Sequence, residues 1–218
     1  MNSLPALTKL RHLKQSARNM VRQARWKARL GSYPKTADGK RLLHIGCGDI
    51  NSPGFINLDA RPLPHVHIVS KNIFRLDMIP DDSLDMVYMS HVLEHVPRNQ
   101  AIEVIREMAR VLKPDGVLRI SVPDFDHVIT IYEASGKQIN AIAPALMGGQ
   151  NYAFNFHYGV FNTEYLANLL AKGGFLRVRP WDPANCDHHD FDDWASKSIY
   201  LGDRPFPISL NLEGYKAA

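Results

Sequence analysis

The chain has 218 residues, 45% of them hydrophobic, and a formal net charge of +4. That length and composition fit one folded domain with a sizeable core and an added arm, and fall within the range of ordinary globular proteins. No apolar run is long enough to span a bilayer, and the N-terminus lacks the apolar stretch of a secretory signal. The two cysteines, Cys47 and Cys186, make no disulfide framework, so the expected setting is reducing and cytoplasmic.

The charge is unevenly placed. Residues 1–41 hold eleven Lys or Arg and one acid, a net +10, which leaves −6 for the rest. Residues 4–30 contain no Gly, and their only Pro is Pro5. Leu10, Leu13, Ala17, Met20 or Val21, Ala24 and Ala28 recur there at helical spacing, with Lys and Arg on the other faces. Gly31 supplies a stop and Ser32-Tyr33-Pro34 a linker. This predicts a basic helical arm over 1–34 and a domain over 35–218. Such a helix either packs on the domain by its Leu/Ala stripe or lies on an anionic membrane surface, with Trp26 as an interfacial anchor. Nucleic acid fits it less well, because aromatic residues for base stacking are scarce. The run also resembles an organellar presequence, being Arg-rich and almost free of acids.

The strongest signal follows. An apolar run, Leu42 to Ile45, stops at Gly46 and Gly48, and a second, Phe55 to Leu58, stops at Asp59. A Gly-rich loop lets a ligand approach the backbone, and a carboxylate ending the next strand can accept hydrogen bonds from ribose hydroxyls. A dinucleotide fingerprint needs a third glycine and a long helix. Here that glycine is absent, and Pro53-Gly54 leave no room for the helix. A nucleoside cofactor without phosphates, S-adenosylmethionine above all, fits better. A plain tight turn spells Gly-x-Gly too, and the pairing with Asp59 is what favours the cofactor.

Further on, strands alternate with helical stretches, which points to a parallel sheet with helices on both faces. Val66–Ser70 reads as a short strand, Leu84–Met89 as a buried one and Ala101–Leu112 as an amphipathic helix. Lys113-Pro114-Asp115-Gly116 ends that helix before a strand over Val117–Val122. Thr163–Lys172 reads as a helix capped by Thr163 and stopped by Gly173-Gly174. Phe175–Val178 and Lys197–Leu201 are expected as the last two strands. Between about 124 and 162 the pattern loosens, and Met147–Phe161 is rich in Gly, Asn, Tyr, Phe and His.

Over roughly residues 41–202 the chain resembles the class I S-adenosylmethionine-dependent methyltransferases. The pieces that match, in order, are His44-Ile45-Gly46-Cys47-Gly48, Asn57-Leu58-Asp59, Asn72 to Leu76, Asp81 to Val87, Leu93-Glu94-His95 and Leu112 to Leu118. Gly148 to Tyr152, with Phe156-His157, also resembles a branch of small methyltransferases, type 11-like, associated with glycan assembly. The resemblance implies a Rossmann-like, doubly wound α/β fold with a seven-stranded, mostly parallel sheet whose last strand pair is antiparallel. It places Gly46, Cys47 and Gly48 under the methionine part, Asp59 on the ribose, Asn72 and Ile73 at the adenine, and Ser90 and His91 before the sulfonium and methyl group. Asn72 stands where relatives usually carry Asp. His91 stands where some metal-using relatives carry an acid, so no tightly bound metal is implied.

Methyl transfer to a hydroxyl needs aligned reactants and a proton acceptor, and histidine suits that role near neutral pH. His157 is the first candidate base and His91 the second. His95 reads as structural. The alternative for His157 is a hydrogen bond to substrate or to a loop carbonyl. Two metal-like spellings are set aside. His91-Val92-Leu93-Glu94-His95 spells the inverted zinc-protease motif but follows a buried strand instead of lying in a long helix. Cys186 to Asp193 carries ligand types but reads as a solvated acidic loop, or else as part of a pocket rim.

The reading favoured by these signals is O-methylation of a sugar or glycan precursor in cell-envelope polysaccharide synthesis. Tyr152, Phe154, Phe156, Tyr158 and Trp181 would stack on sugar rings or simply pack in the core. Residues 1–30 would hold the enzyme at the inner face of the cytoplasmic membrane or against a glycosyltransferase. The alternatives are methylation of a small metabolite or of RNA, and an inactive cofactor-fold partner of a glycosyltransferase.

Overall fold

The computed structural model describes residues 4–29 and 31–217, with side chains from Ser16 onward except Asn19. Helix α1 (Leu4–Arg29) forms as its uninterrupted helical spacing predicts. The Leu10 and Leu13 side chains lie outside the described residues. The rest of the expected stripe, Ala17, Met20, Val21, Ala24 and Ala28, faces solvent. The helix docks instead through Arg22 and Trp26, one turn apart. Trp26 is only 6% exposed and packs against Tyr33, with ring centroids 5.2 Å apart, in the main core. Arg22 reaches Asp77 at 2.6 Å and Asp81 at 3.5 Å. Trp26 is therefore no interfacial anchor. An indole buries far more apolar area than the methyl groups of three alanines, and the acidic turn before residue 84 supplies carboxylates for Arg22.

Strands β1 (Leu42–Ile45), β2 (Phe55–Asp59), β3 (Ile68–Val69), β4 (Leu84–Ser90) and β5 (Leu112–Pro123) run parallel. Helix α2 (Ala101–Val111) joins β4 to β5. Helices α3 (Phe125–Ala134) and α4 (Ile139–Met147) occupy the stretch whose pattern was loose. Helix α5 (Thr163–Lys172) has the predicted span, but its cap is Asn162, whose Oδ1 accepts from the Tyr165 amide. Strands β6 (Phe175–Pro180), β7 (Ser198–Leu201), β8 (Arg204–Pro207) and β9 (Ser209–Lys216) complete the chain.

The main sheet has seven strands in the order β3-β2-β1-β4-β5-β9-β6, with β9 antiparallel to both neighbours. The seven-stranded, mostly parallel expectation holds, with one reassignment. Residues 198–201 pair with β8 in a separate hairpin, and the missing strand is β9. The Gly202-Asp203 turn makes 198–207 a closed hairpin, so only the chain after Ile208 can insert beside β5.

One sheet face, with Leu43, Ile45, Val87, Met89 and Ile120, is covered by α2 and α5. The other carries Leu42, His44, Phe55, Met86 and Tyr88. Among the described residues, its cluster contains no helical side chain. The chain from Trp181 to Ala195 closes it. Phe191 stacks on His44 at 5.5 Å, and the Tyr88 hydroxyl donates to Asp193 at 2.5 Å. His189 contacts the same carboxylate at 3.3 Å. The stretch expected as a solvated acidic loop or pocket rim is thus partly a lid on the sheet. Only nine residues, 46–54, separate β1 from β2, too few for the helix that would otherwise cover this face. Burial pushes His44 down to about 4.

Trp26→Ala should cost about 3–5 kcal/mol of stability in denaturant unfolding, while Met20→Ala on the solvent face should stay within about 0.5 kcal/mol. His44 also sets a pH dependence. It is neutral in the fold but takes a proton near 6.5 when unfolded, so stability should fall by about 3 kcal/mol as pH drops from 6.5 towards 4. His44→Phe should flatten that part of the profile in urea titrations at stepped pH.

Candidate active site

The register of the parallel strands sets Ile45 beside both Leu58 and Met89, so β1, β2 and β4 end on one line. This is the point where the strand order reverses, and ligands of open α/β sheets bind there. The Gly46 and Cys47 amides both donate to the Leu58 carbonyl, at 2.8 and 3.2 Å. Gly46 has φ of 65°, and a Cβ there would lie 2.5 Å from Val92 Cγ2, so only glycine fits. The Gly48 amide donates to Asp59 Oδ2 at 2.8 Å. Arg61 donates to Oδ1 from its amide and its Nε, at 2.8 and 3.2 Å. His65 Nε2 donates to the Gly48 carbonyl at 2.9 Å. A carboxylate has about four acceptor positions, so Asp59 keeps capacity for a ribose hydroxyl.

These residues border a cavity of about 310 Å³. Gly46, Gly48, Asp59 and Ile73 line it, as do His91 and His95 opposite. Three sequence candidates stand elsewhere. Cys47, within the loop, turns its side chain into the core and off the cavity wall, and that burial pushes its thiol up to about 12. Asn72 is exposed, and its Oδ1 accepts from the Phe74 amide at 3.0 Å in a local turn. Ser90 shares the strand face of Met86 and Tyr88, turned away from the cavity by the two-residue alternation of β4. A larger cavity of about 810 Å³ lies on that back face and shares no lining residue with the first. Its Arg119 and Arg179 are both engaged by Glu213.

Beyond β4 the chain turns through His91, at φ of 52°, into a short 3-10 helix, Leu93–His95. His91 Nε2 donates to Ser209 Oγ at 2.8 Å, because that hydroxyl gives its own proton to the Trp194 carbonyl at 2.6 Å. His91 Nδ1 lies 3.2 Å from Glu94 Oε1. His157 does not line the cavity. It sits behind His95, with ring centroids 4.8 Å apart, and donates from Nδ1 to the Ala145 carbonyl at 2.9 Å, near the open end of α4. Its Nε2 is 4.0 Å from Glu94 Oε1. Burial lowers His157, against the pull of Glu94. Burial alone would raise Glu94, but His91, His95 and His157 outweigh it and hold the carboxyl below its ordinary range.

The segment 148–158 is pinned over this corner. The Tyr158 and Gly159 amides donate to the Glu94 carbonyl at 2.7 and 3.1 Å, and His95 Nδ1 donates to the Phe156 carbonyl at 3.1 Å. Tyr152 and Phe154 stay 49% and 43% exposed on the cavity wall. Trp181, grouped with them by composition, is buried on the opposite face of the sheet.

Residues 47–120 match the family model described as a methyltransferase domain. This part of the chain is similar to the methyltransferase-domain family. Two strains of Mycobacterium tuberculosis each carry a protein described as a probable S-adenosylmethionine-dependent methyltransferase. Each is 32% identical to this chain over 154 residues, covering 63% of this chain and 49% of the relative. The chain thus spans about half the length of the curated relatives it matches. Among solved structures, a S-adenosylmethionine-dependent methyltransferase from Archaeoglobus fulgidus aligns with TM-score 0.53 at 19% identity, over 91% of this chain and 94% of that one. One from Thermotoga maritima, a possible histamine N-methyltransferase by its description, aligns with TM-score 0.52 at 17% identity, over 94% of each chain. A Burkholderia thailandensis 1,6-didemethyltoxoflavin N1-methyltransferase, solved with S-adenosylhomocysteine, gives TM-score 0.51 at 19% identity, over 93% of this chain and 79% of that one.

The motifs read from the sequence bring Gly46, Gly48, Asp59 and Ile73 to one cavity. They missed the partnership of Glu94 with His157, which lie 63 positions apart in the numbering. The only sequence signal for it was a His in a Gly- and aromatic-rich segment.

Proposed function

We propose that the whole chain transfers a methyl group from S-adenosylmethionine to a hydroxyl of a sugar or glycan precursor. One observation carries this: a single cavity joins the Gly46–Gly48 loop and Asp59 at one end to His91, His95 and two half-exposed aromatic rings at the other. The first end suits the nucleoside and methionine. The second suits a ring-shaped polar acceptor, which stacks on Tyr152 or Phe154 while a histidine takes the hydroxyl proton. The cofactor carries the activated methyl; the protein aligns the two groups.

This reading takes His91 before His157 as the base. What supports that order is that His91 lines the cavity, with Nε2 on Ser209 and Nδ1 beside Glu94, whereas His157 does not line it and bonds the Ala145 carbonyl. Methylation of a small metabolite is the second reading, because the same rings would stack on any planar acceptor.

The exposed stripe of α1, Met20 and Val21 beside Arg18 and Arg25, supports a peripheral contact with an anionic membrane at its inner face, with a glycosyltransferase as the alternative partner. No described helix is long and apolar enough to cross a membrane.

Calorimetry should show S-adenosylmethionine binding that Asp59→Ala weakens at least tenfold, matching loss of more than about 1.4 kcal/mol of hydrogen bonding to an ionised group. Nucleotide sugars offered with labelled cofactor should gain a methyl group on oxygen, located by mass spectrometry. Absence of cofactor binding by the wild type would defeat any methyl-transfer role. For the arm, Met20→Asp with Val21→Asp should release the protein from anionic vesicles in a sedimentation assay and leave cofactor affinity unchanged. Equal sedimentation of both proteins rules out the membrane contact.

A further inference from the structure

Glu94 is an anomaly that the cofactor site leaves unexplained. Its side chain is fully buried, at 0% exposure; its nearest partner is His91, whose Nδ1 lies 3.2 Å from Oε1, and Oε2 has none. No described Lys or Arg pairs with it. A fully buried carboxylate with one imidazole partner and one oxygen left over calls for further compensating charge. Its neighbours are His91, His95 and His157, and the last two carry a specific signature. Both use Nδ1 to donate to a main-chain carbonyl, His95 to Phe156 and His157 to Ala145. A carbonyl only accepts, so Nδ1 holds the proton and Nε2 keeps a free lone pair in each neutral ring. Fixing the tautomer by a hydrogen bond from the distal nitrogen is how proteins prepare histidine for a metal. One ligand atom from each of Glu94, His95 and His157 lies within 4.8 Å of the other two.

We propose that Glu94, His95 and His157 bind one divalent transition-metal ion, zinc in the first instance, at the inner end of the cofactor cavity. Two imidazoles and one carboxylate suit zinc and its first-row neighbours, whereas calcium and magnesium favour all-oxygen shells. Three protein ligands leave a coordination position open. Of the three, His95 lines the cavity, so a ligand in the open position would be reached from that side. There the ion would bind the acceptor oxygen and favour its deprotonation, a role that rests on the methyl-transfer reading. The ligands also come from two segments, the 3-10 helix after β4 and the segment 148–158. The ion would therefore clamp the aromatic wall to the sheet. His91-Val92-Leu93-Glu94-His95, a protease motif by spelling alone, thus contributes two of its residues to a different site, completed by His157.

The test uses the full chain, freed of metal by chelation and desalting. Titration with Zn²⁺ by calorimetry should show one equivalent bound, and thermal melting of the wild type should shift upward with Zn²⁺ present. Co²⁺ should bind with visible d–d absorption. His95→Ala and His157→Ala, checked by circular dichroism, should each weaken uptake by more than about 100-fold, beyond what loss of an outer-shell partner costs. His188→Ala should leave it unchanged. Failure of the wild type to take up one equivalent, or uptake that both cluster variants retain, overturns the assignment. Cofactor binding is measured on the same metal-free protein. Metal uptake without cofactor binding defeats the methyl-transfer reading and leaves the metal site standing; cofactor binding without metal uptake does the reverse.

Discussion

The bond from the Gly48 amide to Asp59 is the contact on which the site depends. It ties the loop after β1 to the end of β2 and makes that glycine-bearing loop one wall of a cavity. It forms only because the two strands are parallel and in a register that ends Ile45 beside Leu58. Buried strands covered on both faces tolerate no one-residue slip, since a slip would send Leu43 and Ile45 to the wrong layer. The core therefore fixes the position of the carboxylate, and the carboxylate fixes the loop.

Much of this was legible in the sequence for a local reason. Two short apolar runs, the glycines between them and the terminal Asp59 all lie within eighteen residues, and the turn leaves no room for a helix. What was not legible is the consequence of that short turn. The face a helix would have covered is closed by residues more than a hundred positions later, through Phe191 on His44 and Asp193 on Tyr88. An acidic, His-rich stretch looks solvated by composition, yet the sheet needed a cover and this segment brought an aromatic ring and a carboxylate that could be satisfied.

The arm shows the same limit. Periodicity gave the helix, but its docking face followed the largest buried group and the available counter-charges. Trp26 enters the core and Arg22 meets Asp77, while the small apolar residues remain outside. Beyond β4, Glu94 organises the corner twice over. Its carbonyl receives the Tyr158 and Gly159 amides, and its side chain faces three histidines. A fully buried carboxylate of this kind is invisible in composition because nothing in the spelling Leu-Glu-His tells that the glutamate points inward.

By itself, then, the sequence determined the parallel sheet, the glycine loop after β1 and the carboxylate that ends β2, because each depends on residues close together along the chain. The tertiary structure alone decided that β9 and not residues 198–201 completes the sheet, that Ser90, Asn72 and Cys47 turn away from the cavity, and that His157 stands behind His95 against Glu94. These are matters of strand parity, hairpin closure and the burial of one charge, and each is set by packing between segments that the chain's order keeps apart.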